Sequence, residues 1–268
     1  MIQDHPTFKP PAEDEPLWRY MDLAKFLSML HTSNLYFARA DKMDDPYEAE
    51  YPKLHIERWK AFQEQYNREN GHPFPDYSRT GETSADYYLS CWYANRHESA
   101  AMWKAYCGQG DGIAICSTMK HLRAALGGAE QPIYAGMVSY IDYDTETFVG
   151  LKDANPPFIG NGFITILHKR KSFEHEQEMR LVMWGLTEYM RLHVPKEEHR
   201  RFTLDAVDKT KYPAGYSVPV KLSSMVSRVM IAPTARKWFK EVVAASLKAF
   251  GYSDIPLEQS SLYDKPVY

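Results

Sequence analysis

Carboxylates recur at every second position in Glu174, Glu176 and Glu178, and Arg180 continues the spacing. If this segment is a strand, those four side chains leave from one face, and Met179, Leu181 and Met183 leave from the other. Carboxylates stacked in this way raise one another's proton affinity unless a cation intervenes, and Arg180 is one candidate partner. Such a pair can orient a sugar hydroxyl and stabilise positive charge developing at a glycosidic carbon. The plainer alternative is an edge strand with a solvated charged face.

Three other segments hold residue types with chemical use. Leu17-Trp18-Arg19-Tyr20 sets an arginine inside an aromatic strand. Its planar fork suits phosphate or carboxylate oxygens, and a structural ion pair is the alternative. Ser90 and Trp92 share a strand face in Ser90-Cys91-Trp92, while Met102 and Tyr106 share a helix face with Trp103 adjacent. Together they form a polar and aromatic wall, or else ordinary core. Asp41, Asp44, Asp45 and Glu48 sit in one short stretch without the spacing of a calcium loop. A carboxylate facing Arg19 is the more plausible use, beside a solvated turn.

The common catalytic signatures are absent. Gly108, Gly110 and Gly112 match a phosphate loop only by glycine count, lacking the Lys-Ser/Thr ending. There is no His-Glu-x-x-His, no Gly-x-Ser-x-Gly and no Cys/His zinc pattern, so neither serine nor zinc hydrolysis is expected. Cys91, Cys107 and Cys116 have neither the number nor the spacing of a disulfide framework or a zinc site. They are expected to be reduced, and no metal is expected.

These residues need elements to hold them. Residues 1–16 read as an extended arm with Pro6, Pro10, Pro11 and Pro16, followed by one domain over 17–268. Asp22 is placed to cap a helix over 23–30, whose apolar positions 23, 26, 27 and 30 form a stripe. Strands are expected at 35–38, 87–92, 112–116, 176–184, 189–194, 215–220 and 226–231. Further helices are expected at 53–70, 98–106, 119–126, 161–171 and 234–250, with Thr118 and Thr234 as N-caps and Gly251 ending the last. Residues 71–86 read as a long mobile loop, and 136–143 alternate in part. Strands and helices mix without regular βαβ alternation. This predicts an α+β domain with a central mixed sheet and a C-terminal helix, not a doubly wound fold.

Composition narrows the function class. The 268 residues carry 32 basic and 35 acidic side chains, a net charge of -3, so no global positive field holds a nucleic acid. Any such contact would be local, through Lys169-Arg170-Lys171. No apolar run reaches the ~20 residues of a membrane helix. The start, Met1-Ile2-Gln3-Asp4-His5-Pro6, lacks the pattern of a signal peptide, which predicts a cytoplasmic protein without membrane contact. Aromatic residues make up 14% of the chain, a content that suits a cleft for a flat polar ligand as well as an ordinary core.

In their order, the segments resemble a bacterial and phage family called domain of unknown function 2971, over roughly residues 17–262. The marks are Trp18-Arg19-Tyr20, Leu35-Tyr36-Phe37 with Asp45-Pro46-Tyr47-Glu48, and Ser90-Cys91-Trp92. Met102 to Tyr106, Gly112 to Ile115 and Phe173 to Arg180 complete them. That family name carries no function. The order of arginine, serine and Glu-x-Glu is also similar to the ADP-ribosyltransferase superfamily, with Cys91-Trp92 standing where Thr-Ser is usual.

This second resemblance implies NAD as substrate, without a metal. Arg19 would hold its phosphates, Ser90 would support the nicotinamide-ribose strand, and Glu178 would hold a ribose hydroxyl. Glu176 would activate the acceptor, and Tyr20, Trp92, Trp103 and Tyr106 would line the nucleotide site. The acceptor would be protein, nucleic acid or water, and the enzyme a toxin or phage-defence effector. Two alternatives stay open: a nucleic-acid-binding or nucleic-acid-processing protein, and a noncatalytic nucleotide-sensing module.

Overall fold

The computed structural model describes residues 1–74, 84–107, 110–154, 157, 162–199 and 207–266. The chain opens with β1 (Ile2–Gln3), β2 (Pro16–Met21), α1 (Leu23–Thr32) and β3 (Asn34–Arg39). Next come α2 (Lys53–Asn70), β4 (Tyr87–Ala94), α3 (Ala100–Cys107), β5 (Ile113–Thr118) and α4 (Met119–Ala125). They are followed by β6 (Ile133–Met137), β7 (Ser139–Ile141), α5 (Phe163–Ile166), β8 (His168–Arg170), β9 (Glu178–Trp184) and α6 (Gly185–His193). β10 (Gly215–Pro219), α7 (Leu222–Met225), β11 (Arg228–Ile231), α8 (Lys237–Ala249) and β12 (Leu257–Gln259) complete the described elements.

Ten strands form one sheet in the order β1-β6-β9-β4-β2-β5-β11-β12, with β3 joined to β4 and β10 joined to β3. β1 runs parallel to β6 and β11 parallel to β12, and the remaining pairs are antiparallel. The fold is therefore α+β with a central mixed sheet, as the sequence pattern predicts. β7 and β8 make a separate parallel pair. Residues 1–16 lie along the sheet margin, where Ile2 and Gln3 pair with Ile133 and Tyr134 and Phe8 is buried.

The elements that frame the central strands follow from local chemistry. The Asp22 carboxylate accepts the Lys25 N–H at 2.7 Å and starts α1 directly after β2. Thr118 accepts the His121 N–H at 3.2 Å and starts α4 after β5. Phe239, Val243 and Leu247, one turn apart, form the buried stripe of α8. Gly251, at φ +82°, allows the turn that ends this helix. β9 lies inside the sheet between β4 and β6 and is buried from Glu178 to Met183.

Four expectations are corrected. The helix over 161–171 is confined to α5, and His168–Arg170 form β8. The strand over 189–194 is instead part of α6, where Leu186 and Tyr189 are buried at helical spacing. Residues 171–176 form a 3-10 helix, and Gln177 turns the chain at φ +36°, so Glu176 precedes β9 instead of sharing its face. α8 begins at Lys237 with Arg236 at its N-cap, not at Thr234. The alternating stretch 136–143 divides between β6 and β7. Most of the loop expected over 71–86 lies outside the described residues.

The most consequential feature is a fork. β2 pairs with β4 only at Leu17–Ala94 and Trp18–Tyr93. Beyond that point β2 continues along β5 to Met21–Ile113, while β4 is taken up by β3 at Ala38–Leu89 and Arg39–Tyr88. Between those contacts the facing edges of β2 and β4 have no partner strand among the described residues, and the sheet opens.

One wall of the opening is α3, which approaches β5 closely at Gly112. A Cβ there would lie 1.9 Å from Cys107 Sγ and 2.1 Å from Cys107 Cβ. Gly112→Ala should therefore displace the end of α3 and destabilise the fold by about 2 kcal/mol, the scale of overpacking. Urea unfolding measures this, and an unchanged midpoint would contradict the close approach.

Candidate active site

The fork opens into a cavity of about 810 Å³. That is within the ~300–1,000 Å³ range of small-molecule sites. β2 contributes Arg19, Tyr20 and Met21, and β4 contributes Cys91, Trp92 and Tyr93. Ser28 and Met29 of α1, Tyr36 of β3, and Met102 and Tyr106 of α3 close the sides. Lys169, Phe173, Glu176, Glu178, Arg180, Asp44, Asp45 and Glu48 form the far end.

Arg19 marks one end. Its Nη2 donates to the Tyr36 carbonyl at 3.1 Å, and its guanidinium lies over the Trp92 ring at 5.9 Å. Among the described residues it has no carboxylate partner. Burial lowers its proton affinity, which is the expected effect on a cation drawn out of water without an anion beside it. Apart from the bond to Tyr36, its guanidinium has no hydrogen-bond acceptor among the described residues.

The opposite end is held by ions. Arg180 is 1% exposed, and all five of its N–H groups have acceptors. Nε and Nη2 donate to Glu178 at 2.8 and 3.2 Å. Nη1 and Nη2 donate to the two oxygens of Glu48, the latter at 3.0 Å, and Nη1 also donates to the Ile166 carbonyl at 2.6 Å. Lys169 Nζ bonds to Glu176 and reaches Glu178 Oε2 at 3.4 Å. Three carboxylates therefore meet two cations, and an excess negative charge faces the cavity.

Burial alone would raise Glu178, but Arg180 and Lys169 outweigh it and hold the carboxyl at about 2. Burial raises Glu48 against the pull of Arg180. Glu178 is thus an ionised acceptor and not a proton donor near neutral pH. Burial and the Glu178 charge push the neighbouring Cys91 thiol well up, so it stays protonated. Cys91, Cys107 and Cys116 are all free thiols. Among the described residues, no three His, Cys, Asp or Glu side chains converge as a metal site. Among those residues no helix is long and apolar enough to cross a membrane.

No protein-family model matches the chain, and no curated protein matches it. Among solved structures it is similar to Thermus sp. 2.9 DarT in complex with carba-NAD+, with a TM-score of 0.36 and 11% identity over 93% of this chain and 96% of that one. It is likewise similar to Thermus sp. 2.9 DarT in complex with ADP-ribosylated ssDNA, with a TM-score of 0.34 and 12% identity over 94% and 96% of the two chains.

Arg19, Tyr20, Trp92, Tyr106, Glu176 and Glu178 all line the cavity, although they come from distant parts of the chain. Ser90 and Trp103 do not. Ser90 is fully buried, and its hydroxyl accepts the Trp92 indole N–H at 3.2 Å. Trp103 stands behind Tyr20, ring edge to face at 4.8 Å, and donates to Glu98 at 2.7 Å. Tyr20 is itself buried, so the exposed aromatic groups are Tyr36 and Tyr106. Tyr36 is legible only as the outward residue of Leu35-Tyr36-Phe37.

Among the described residues, no ion pair joins the acidic stretch 41–48 to Arg19. Asp41 pairs with Arg39 at 2.6 Å, Asp45 with Arg170 at 2.7 Å, and Glu48 with Arg180. The basic run expected to touch nucleic acid is also engaged: Lys169 on Glu176 and Glu178, Arg170 on Asp45, and Lys171 on Glu146 at 2.7 Å. Of the face predicted over 174–180, Glu178 and Arg180 stand where the strand pattern puts them, and Arg180 is the partner of its neighbouring glutamate.

Removing one member of a buried ion network leaves the others uncompensated. Glu178→Gln should destabilise the chain by about 3 kcal/mol at neutral pH. Folding depresses Glu178 below its ordinary 4.5, so its contribution is full above that value and disappears as pH falls toward about 2. Urea titrations of both proteins across this range should show the wild-type advantage shrinking toward acid. A pH-independent difference would contradict the ionised network.

Proposed function

We propose that the chain is an ADP-ribosyltransferase that takes ADP-ribose from NAD in the β2–β4 cleft and passes it to a protein or nucleic-acid group. The observation that carries this reading is the polarity of one cavity: an arginine without a carboxylate at one end, and an ionised cluster with excess negative charge at the other. A dinucleotide with a phosphate centre and a cationic ring has the complementary arrangement.

In this reading Arg19 donates its fork to pyrophosphate oxygens. Tyr36 and Tyr106 flank the flat rings, with Trp92 buried behind Arg19. Glu178, held ionised, accepts a ribose hydroxyl bond and stabilises the positive charge that develops at the anomeric carbon. The nicotinamide–ribose bond breaks with its electron pair passing to the nicotinamide nitrogen. The acceptor's nucleophile forms the new bond to the anomeric carbon and yields its proton to Glu176 or water. Glu178 takes no proton in this scheme, in keeping with its depressed affinity. A toxin or phage-defence role is consistent with such chemistry.

A nucleotide-sensing module is the second reading. It is favoured by the burial of Glu178, whose side chain is 6% exposed and already bonded to Arg180 and Lys169.

Calorimetric titration with NAD and nicotinamide release into water test both. Arg19→Ala should weaken binding about 10- to 100-fold, the scale of a charged hydrogen bond. In the folded fraction, Glu178→Gln should keep the wild-type affinity and lose release about 100-fold. Binding without release, with protein and DNA acceptors also supplied, would favour the sensing module. No binding of millimolar NAD by the wild type would overturn both readings.

A further inference from the structure

Glu48 contributes charge to the cluster above but touches no part of the nucleotide in that scheme, and its side chain is closely held. Its side chain is 4% exposed, and both of its oxygens are committed to Arg180. It belongs to the segment between β3 and α2, 132 positions from its partner. The same segment is fastened a second time, by Asp45 to Arg170.

Its backbone is also constrained. Ala49, the next residue, is 1% exposed and sits at φ +62°, a region that side chains other than glycine rarely occupy. Gln177, immediately before Glu178, sits at φ +36°. Each carboxylate gripping Arg180 is therefore set beside a non-glycine residue in the left-handed region, a state that persists only where surrounding contacts enforce it.

We infer that Glu48 is a positioning residue that fixes Glu178 through Arg180, without itself touching the nucleotide. This rests on the proposed ADP-ribosyl transfer. A guanidinium is planar, so gripping one edge sets the direction of the other. Glu48 takes Nη1 and part of Nη2, leaving Nε and the rest of Nη2 aimed at Glu178. Glu48 also divides the arginine's charge. Without it the whole cation falls to Glu178 and cancels the negative charge that the developing carbocation requires. Arg19 and the aromatic walls are independent of this chain of contacts, so losing Glu48 lowers the ground-state affinity for NAD far less than it lowers stabilisation of the developing charge.

The test measures NAD affinity and binding stoichiometry by calorimetry, with nicotinamide release into water on the same samples. In Glu48→Gln the affinity should stay within about threefold while release falls about 10- to 100-fold, the scale of a misplaced catalytic group. Glu48→Asp keeps the charge but draws the carboxylate back by one methylene, and should lie between the two. It carries the test if the glutamine variant does not fold. Full stoichiometry separates slowed chemistry from loss of folded protein. Wild-type release rates in the variants would overturn the inference, as would parallel loss of affinity and release. Absence of NAD binding by the wild type would instead remove the functional reading on which it rests.

Discussion

A guanidinium buried between two carboxylates organises this molecule. Arg180 lies on an interior strand of the sheet, where an unpaired charge would cost several kcal/mol. Its bonds to Glu178, Glu48 and Ile166 join three separate parts of the chain at one point. Glu178 is local to β9, Ile166 ends α5, and Glu48 comes from the segment after β3. That convergence closes the far end of the cavity and leaves the residual negative charge where a ligand meets it. Replacing the network with apolar residues would remove the desolvation penalty and also the electrostatic contrast with Arg19.

The cavity itself is a product of pairing geometry. β2 and β4 share a short ladder and then separate toward different partners. Side chains from both strand edges converge in the gap, on a rigid backbone instead of a loop. The same divergence keeps Arg19 apart from the acidic cluster. Were β2 to continue along β4, the two ends would share one continuous surface and their charges would have no cleft between them.

The regular features of this arrangement are legible in the sequence. Short aromatic and apolar runs identify β4 and β5 and alternation identifies most of β9, while Asp22 and Thr118 announce their helices through cap chemistry. Arg19, Trp92, Tyr106 and Glu178 are recognisable as residues of interest because their types are unusual in their settings. What pattern does not carry is pairing at a distance. The partners of Asp45 and Glu48 lie more than a hundred positions away, and the nearer-looking Arg19 is the wrong one. Local backbone chemistry accounts for the other departures. Gln177 in the left-handed region separates Glu176 from the strand it seems to continue, and Leu186 with Tyr189 follows a helical period in a stretch that also suits a strand.

Arg180 has a further consequence for how β9 finds its place. The strand joins β4 across a long sequence separation, and its register sets which side chains face each side of the sheet. A slip by one residue would exchange the faces. It would turn Arg180 toward the side occupied by Trp92 and Met179, where a largely apolar core offers no carboxylate, and bring Leu181 against the carboxylates. The buried charge thus proofreads strand assembly: an apolar residue in its place would tolerate neighbouring registers far more evenly. The discrimination comes from the penalty on wrong pairings, whatever the network contributes to the stability of the right one.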